Sequence, residues 1–357
     1  MSVKQQRLDW VDMAKGLSIF LVVMMYAAAS VGEDTGGVGA FHWAIAFATP
    51  FRMPEFFLLS GLFLAQVIDR PWRSFADRRV VHFLYFYALW AAIHIVFKVG
   101  LLDTNPVGAA EYLAWAVIQP YGVLWFIYLL AMVSAAAKAL HSLRLPVWSV
   151  FVGAVLLQMA PISTGLYAID QFAAYFVFFY AGYILAPLLF RVSAWALDHV
   201  TLALVALAAW ALVNAALVFS PGFAMHPIHP VMGLAGLPGI HLVLALLGIT
   251  ALCIVAALLT RLPTMDWLRW LGSKSLIVYV AFVLPMGVAR TLLITLGLVE
   301  PTLLTLLTMA AAIIAPLILY WLVQRTGQGK FLFERPAWAH LPGMSRPTEQ
   351  LSTNPAA

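Results

Sequence analysis

Apolar runs of about twenty residues follow one another along this chain, and each is long enough to cross the roughly 30 Å hydrocarbon core of a bilayer as a helix. A membrane barrel would instead alternate apolar and polar residues over strands of about ten. Of the 357 residues, 64% are hydrophobic and 10% charged, with a mean hydropathy of +0.94; soluble domains carry roughly 25% charged residues. The expected fold class is therefore an all-α polytopic membrane protein. The single cysteine, Cys253, lies in an apolar run, which rules out an internal disulfide or a cysteine-cluster metal site. The net charge of +5 is not a nucleic-acid signal, because in a polytopic protein excess Lys and Arg records which loops face the cytoplasm.

Ten spans are expected. The first contains the charge-free run from Gly16 to Val31, and the others lie near residues 41–67, 80–99, 122–140, 146–161, 168–190, 194–219, 238–260, 270–296 and 302–323. With the N-terminus inside, all but Arg52, Lys98 and Arg290 of the 20 Lys and Arg residues fall on inner segments. Outer segments carry Glu33, Asp34, Asp103, Glu111, Asp170 and Glu300. So strong a bias predicts both termini in the cytoplasm. Residues 1–336 read as one transmembrane domain, and 337–357 as a polar, Pro-rich cytoplasmic tail, disordered at its end. No internal repeat of the kind common in secondary transporters is visible.

The first span carries its own polar line. Asp9, Asp12 and Lys15 precede the apolar run, and Tyr26 follows Lys15 by eleven residues, about three helical turns and roughly 16 Å along the axis. Lys15 and Tyr26 therefore point the same way, with Asp12 close to that face. The line suggests a polar track through the bilayer; the plainer alternative is a boundary cation and a packed tyrosine. A charged start, an apolar run and Ala27-Ala28-Ala29 loosely imitate a signal peptide, but the acidic residues and the spans beyond favour a retained helix.

Ionisable residues inside spans are costly and are candidates for function. The second span has Arg52 and Glu55, three apart and so able to pair on one helix face, with Pro50 and Pro54 disturbing the helix around them. Counted from Arg70, Glu55 lies about 22 Å from the inner boundary, near enough to the depth of Tyr26 for the two to share a cavity. A pair that only orders a kink is the rival reading. Before the third span, Arg73-Ser-Phe-Ala-Asp77-Arg78-Arg79-Val-Val-His82 is either positive-inside topology or a mouth suited to a phosphorylated ligand, since Arg grips phosphate oxygens through a planar fork. The remaining histidines, His94, His226 and His229 among them, lack metal-ligand spacing and read as structural. There is no Gly-x-Ser-x-Gly elbow and no P-loop.

Several stretches stand in a characteristic order and spacing. They are Asp12-x-x-Lys15-Gly16 before Leu21-Val22-Val23, Met53-Pro54-x-Phe56-Phe57-x-x-Ser60-Gly61, Arg79 with an aromatic third span, and Leu124-Trp125-Phe126. Leu271-Gly272-x-x-Ser275-Leu276-x-x-Tyr279 and Leu332-Phe333-Glu334-Arg335-Pro336-x-Trp338 follow. Together they resemble the acyltransferase 3 family, ten-span membrane acyltransferases of bacterial surface carbohydrate modification. The resemblance implies a multi-pass protein of the bacterial inner membrane that moves an acyl group, typically acetyl, from cytoplasmic acyl-CoA to a hydroxyl outside. The acceptor would be a surface polysaccharide, oligosaccharide or lipid-linked glycan, and no tightly bound cofactor is implied.

Where the family's first span has Arg, ten residues and His, this chain has Lys15 and Tyr26; its third-span Arg-x-x-Arg reads Arg79-x-x-His82, and its ninth-span His falls on Phe282. Lysine keeps the charge but loses the fork. Tyrosine, with a reference pKa near 10, is a poor base at neutral pH, where histidine near 6.5 is well matched. The expected donor site is Lys15, Arg78, Arg79 and His82, with Asp12, Arg52, Ser60, Trp125 and Tyr279 lining or orienting a cavity among spans one, two, three and nine. Glu55 is the expected base and Tyr26 the group that positions the acceptor. A catalytically silent relative and a transporter of a small ligand are the rival readings.

Overall fold

The computed structural model describes residues 3–344, with side chains from Asp9 onward. Among these the chain is helical, with an isolated bridge between Ala224 and Val231 as its only β pairing. The α-helices are α1 (Val3–Thr35), α2 (Ala40–Ala48), α3 (Arg52–Gly61), α4 (Trp72–Phe75), α5 (His82–Ile95), α6 (Pro106–Trp115), α7 (Trp125–Ser142) and α8 (Val147–Met159). They continue as α9 (Tyr167–Asp198), α10 (Val200–Val218), α11 (Pro238–Leu259), α12 (Asp266–Ser273), α13 (Ser275–Ala281), α14 (Val283–Thr295) and α15 (Pro301–Thr326).

Seven described stretches are long and apolar enough to cross a membrane: 9–35, 72–102, 122–142, 167–198, 200–218, 238–259 and 301–326. The pair α13–α14, bent by 57° at Phe282, makes an eighth if taken as one span. Two of the expected ten, 41–67 and 146–161, do not form single helices of spanning length. The first breaks at Thr49–Phe51 into α2 and α3. Pro50 disfavours helix at the residue before it, and Pro54 is tolerated in the first turn of α3, where a missing N–H costs nothing. The other is α8, whose 13 residues reach about 20 Å.

The centre of the bundle is α1, which packs against α2, α3, α11, α12, α13 and α15. Its Met13, Ala14, Ile19, Val22, Val23, Ala27, Ala28 and Val31 are fully enclosed, whereas much of α10 is exposed apolar surface, as a lipid-facing helix requires. Lipid tails give helices no hydrophobic reason to associate, so close packing through small residues carries the contacts. Two glycine crossings do this here. A Cβ on Gly16 would collide with the carbonyl oxygen of Leu268, and one on Gly272 with that of Asp12, so α1 and α12 touch backbone to backbone. Gly61 and Gly182 do the same between α3 and α9. These crossings fix the ends of α1 and α3 that carry Lys15 and Ser60.

Candidate active site

A cavity of about 270 Å³ opens among α1, α3, α7, α13 and the π-helical turn at 76–81 that precedes α5. Lys15 and Ser18 line it from α1, Phe56, Leu59 and Ser60 from α3, Arg79 from the π turn, Phe126 and Leu130 from α7, and Ser275, Leu276 and Tyr279 from α13. The helices at the positions of the expected spans one, two, three and nine all contribute residues, and α7 joins them. The wall is mostly aromatic and aliphatic, with Lys15 and Arg79 as its two cations. Lys15 is half-exposed and 3.3 Å from Asp12; Arg79 donates to the backbone oxygen of Ser60 at 3.4 Å. Ser18 is a fully buried part of this wall, its hydroxyl 2.5 Å from Glu55 Oε1 and 2.8 Å from the carbonyl oxygen of Ala14.

A second cavity, about 190 Å³, lies further along α1. Its lining includes Met25, Tyr26 and Ala29 of α1, His42 and Ile45 of α2, Arg52 of α3, and Ile228, His229 and Pro230 from the loop between α10 and α11. Between the two cavities stands an aromatic layer. Tyr26 lies 5.6 Å from Phe282 between ring centroids, Phe282 6.3 Å from Tyr279, and Tyr279 5.5 Å from Phe126. Trp125 donates its indole N–H to the Tyr26 hydroxyl at 3.2 Å, and Tyr279 donates to the carbonyl oxygen of Val123.

Two sequence expectations need correction. Arg52 and Glu55 do not pair: the Arg52 guanidinium turns back along the chain to the Ile45 carbonyl and the Thr49 hydroxyl, both at 3.5 Å, while Glu55 turns across to Ser18. Both residues lie on α3, where the i,i+3 spacing permits a pair, but Arg52 is the first residue after the break, so the Thr49 hydroxyl and Ile45 carbonyl before the break are within its reach, and Ser18 of α1 takes the carboxylate. Tyr26 and Glu55 do not share a cavity either. Tyr26 lines the second, and the fully buried Glu55 lines neither, meeting the first only through Ser18.

The other expected residues divide. Lys15, Ser60, Arg79 and Tyr279 line the first cavity. Asp12 pairs with Lys15, and Trp125 holds Tyr26. Arg78, next in sequence to Arg79, is exposed and outside the lining. His82 is half-buried with its ring against Phe83 and Phe86, centroids 5.6 and 5.1 Å away.

What the sequence reading missed is the clamp behind Arg79. Asp77, 2% exposed, receives the Arg335 guanidinium at 2.5 Å, the Leu341 N–H at 2.8 Å and a contact from His340 Nδ1 at 3.1 Å. Trp90 and Tyr85 donate to the carbonyl oxygens of Leu332 and Phe331, at 3.0 and 2.9 Å. The segment after α15 is thereby strapped to the π turn through Leu341, beyond the expected boundary at 336; residues 345–357, where disorder was expected, lie outside the described residues. The signal was an Asp inside a run of arginines, opposite the Glu334-Arg335-Pro336 motif.

A family model described as an acyltransferase domain matches residues 8–321. Inner membrane protein YcfT of Escherichia coli (strain K12) is 27% identical over 173 residues, a match covering 42% of this chain and 48% of that protein. The chain thus spans about half the length of the curated relative it matches. No solved structure matches.

Proposed function

Since the chain belongs to the acyltransferase 3 family, whose model spans residues 8–321, we propose that it is an O-acyltransferase of the bacterial inner membrane that moves an acyl group, acetyl in the simplest case, from cytoplasmic acyl-CoA to a hydroxyl of a surface or lipid-linked carbohydrate. The observation that carries this reading is the pair of cavities on one face of α1, with two cations and a buried hydroxyl in the wall of the first. In this reading the first cavity faces the cytoplasm. Its volume admits the acyl-pantetheine end of the donor and leaves the nucleotide at the mouth, where Lys15, Arg79, exposed Arg78 and neighbouring His82 meet its phosphates. The second cavity faces outward and takes the acceptor. Ten crossings with both termini cytoplasmic are part of the same proposal.

Ser18 and Tyr26 are eight residues apart on one helix, about 12 Å along its axis. One hydroxyl cannot touch both, so Tyr26 holds a remote part of the acceptor while the reacting hydroxyl approaches Ser18. Acyl transfer forms a C–O bond and breaks the C–S bond, and the hydroxyl proton has to leave as the C–O bond forms. Ser18 takes that proton as its own passes to Glu55 Oε1, 2.5 Å away; the departing thiolate is reprotonated as the carboxylate is regenerated. The aromatic layer of Tyr26, Phe282 and Tyr279 parts for the acceptor and otherwise keeps water from the thioester.

The test is acetyl-CoA binding and turnover by purified protein in nanodiscs. Arg79→Ala should weaken CoA binding about tenfold or more at low salt, with a smaller loss at high salt because a charge at an open mouth is screened. Unchanged CoA affinity in Arg79→Ala, or no acyl transfer and no CoA hydrolysis by the wild type, would refute the reading.

A further inference from the structure

The second cavity carries a charge that no described residue balances. Arg52 lines it, no carboxylate lies within ion-pair distance of Arg52 among the described residues, and its buried Nε has no hydrogen-bond partner. Its two contacts, at 3.5 Å each, are at the outer limit of a hydrogen bond. A guanidinium cannot escape by losing its proton, and an unpaired charge at membrane depth is expensive. Arg290, the other cation near this end of α1, shows the ordinary solution: it sits 2.8 Å from Asp34. Arg52 could have had Glu55 three residues away, yet that carboxylate is committed to Ser18.

The rest of the lining points the same way. The Tyr26 oxygen accepts from Trp125, and no described residue accepts the proton of Tyr26, so that O–H is free to donate into the cavity. His42 is spent: Nδ1 accepts the Gly39 N–H at 3.1 Å, so Nε2 carries the proton and donates to the Pro227 carbonyl at 3.0 Å. His229, on the exposed loop, closes the cavity and adds a second imidazole. No Asp or Glu lines the space, and it lies against the first turn of the ten-residue helix α3, whose dipole favours an anion.

We propose that the second cavity is a binding site for an oxyanion, a carboxylate or phosphate carried by the acceptor, gripped by the Arg52 fork and the Tyr26 hydroxyl. This rests on the acyltransferase reading for the word acceptor, and it narrows the substrate class to anionic glycans: sugar acids, sugar phosphates or glycans on a phosphorylated lipid. The roughly 12 Å from Tyr26 to Ser18 sets the distance from the anionic group to the reacting hydroxyl at more than one sugar ring.

Binding can be read without acyl-CoA, by ligand-observed NMR on the protein in nanodiscs of phosphatidylcholine alone, so that no anionic headgroup competes. The probes are glucuronate, glucose 1-phosphate, glycerol 3-phosphate and, as neutral control, glucose. At least one anion should bind ten times or more tighter than glucose. The preference should fall to about twofold or less in Arg52→Gln, persist in part in Arg52→Lys and weaken several-fold in Tyr26→Phe. Preference for glycerol 3-phosphate over both sugar anions would assign the site to a lipid headgroup, with the oxyanion chemistry intact. Equal binding of all four probes by the wild type, a result that needs no variant to fold, overturns the proposal, as does an undiminished preference in folded Arg52→Gln. Anion binding without acyl transfer would remove the acyltransferase reading and leave the site; transfer to neutral acceptors without anion preference would do the reverse.

Discussion

Two residues three apart in sequence, Arg52 and Glu55, end in different chemical surroundings, and the consequences can be measured. Glu55 is enclosed, with Ser18 on Oε1 and no partner on Oε2. If the pair relays the acceptor's proton, Glu55→Gln should lower kcat about a hundredfold or more, the usual span for general-base catalysis, with CoA affinity unchanged. Glu55→Asp should recover part of the rate, and Ser18→Ala should resemble Glu55→Gln. A merely structural Glu55 would cost thermal stability and leave kcat per folded molecule intact, so full turnover in Glu55→Gln ends its role as base. The candidate site was legible in residue type: Lys15, Ser60, Arg79 and Tyr279 were each found from charge, depth or motif, and each lines the cavity. Direction was not legible. The Glu55–Ser18 contact joins residues 37 apart, and Arg52 turns across the preceding break to Ile45 and Thr49, a direction no spacing rule supplies.

At the scale of elements, motifs read as signatures of chemistry prove in part to be signatures of packing. Lys15-Gly16 and Leu271-Gly272 meet where α1 crosses α12, and Ser60-Gly61 marks the crossing of α3 over α9. The glycines let backbones touch and so carry Lys15 and Ser60 to one cavity. Gly272→Ala would drive a methyl into the Asp12 carbonyl and the Gly16 amide, and overpacking of this kind costs about 1–3 kcal/mol or more. We expect a lowered unfolding midpoint in detergent and a loss of CoA binding in parallel, because Lys15 lies on the displaced turn. Gly287→Ala, where the added methyl meets nothing, is the control and should leave the midpoint unchanged or higher, as alanine is the better helix former. A Gly272→Ala protein as stable as the wild type would show that the two helices have room to separate. Helix boundaries were legible where apolar runs were uniform, as in α11 and α15. They failed where proline or a side-chain clamp intervened: the second span is two helices, and the expected boundary at 336 runs through the Asp77–Arg335–His340 contacts.

For the whole molecule the open quantity is how often the chain crosses the membrane, and the first cavity bears on it directly. Seven long spans and the bent α13–α14 pair make eight; α2–α3 and α8 would make ten. If neither of these crossed, residues 69–144 would change sides, and Arg70, Arg73, Arg78, Arg79, Lys138 and Arg144 would face outward, against the charge rule. Lys15 would then stand at the inner end of α1 with Arg79 at the opposite membrane face, yet the two line one cavity of about 270 Å³. That shared lining favours a crossing by the broken α2–α3 unit, which is tolerated because its break faces protein and cavity rather than lipid. With α2–α3 crossing, α8 must cross as well to return Arg191, Arg261 and Arg269 to the inner side. At about 20 Å it falls short of the roughly 30 Å core, and the membrane must thin or α8 lean on its longer neighbour α9. Thiol labelling of single cysteines in a Cys253→Ser background, in right-side-out and inverted vesicles, measures this. We expect Asp69→Cys and Arg144→Cys to label in inverted vesicles, and Asp34→Cys and Thr164→Cys in right-side-out ones. Arg144→Cys and Thr164→Cys labelling from the same side would remove α8 as a span. Asp34→Cys and Asp69→Cys doing so would remove the α2–α3 crossing, and with it the assignment of the Lys15–Arg79 mouth to the cytoplasm.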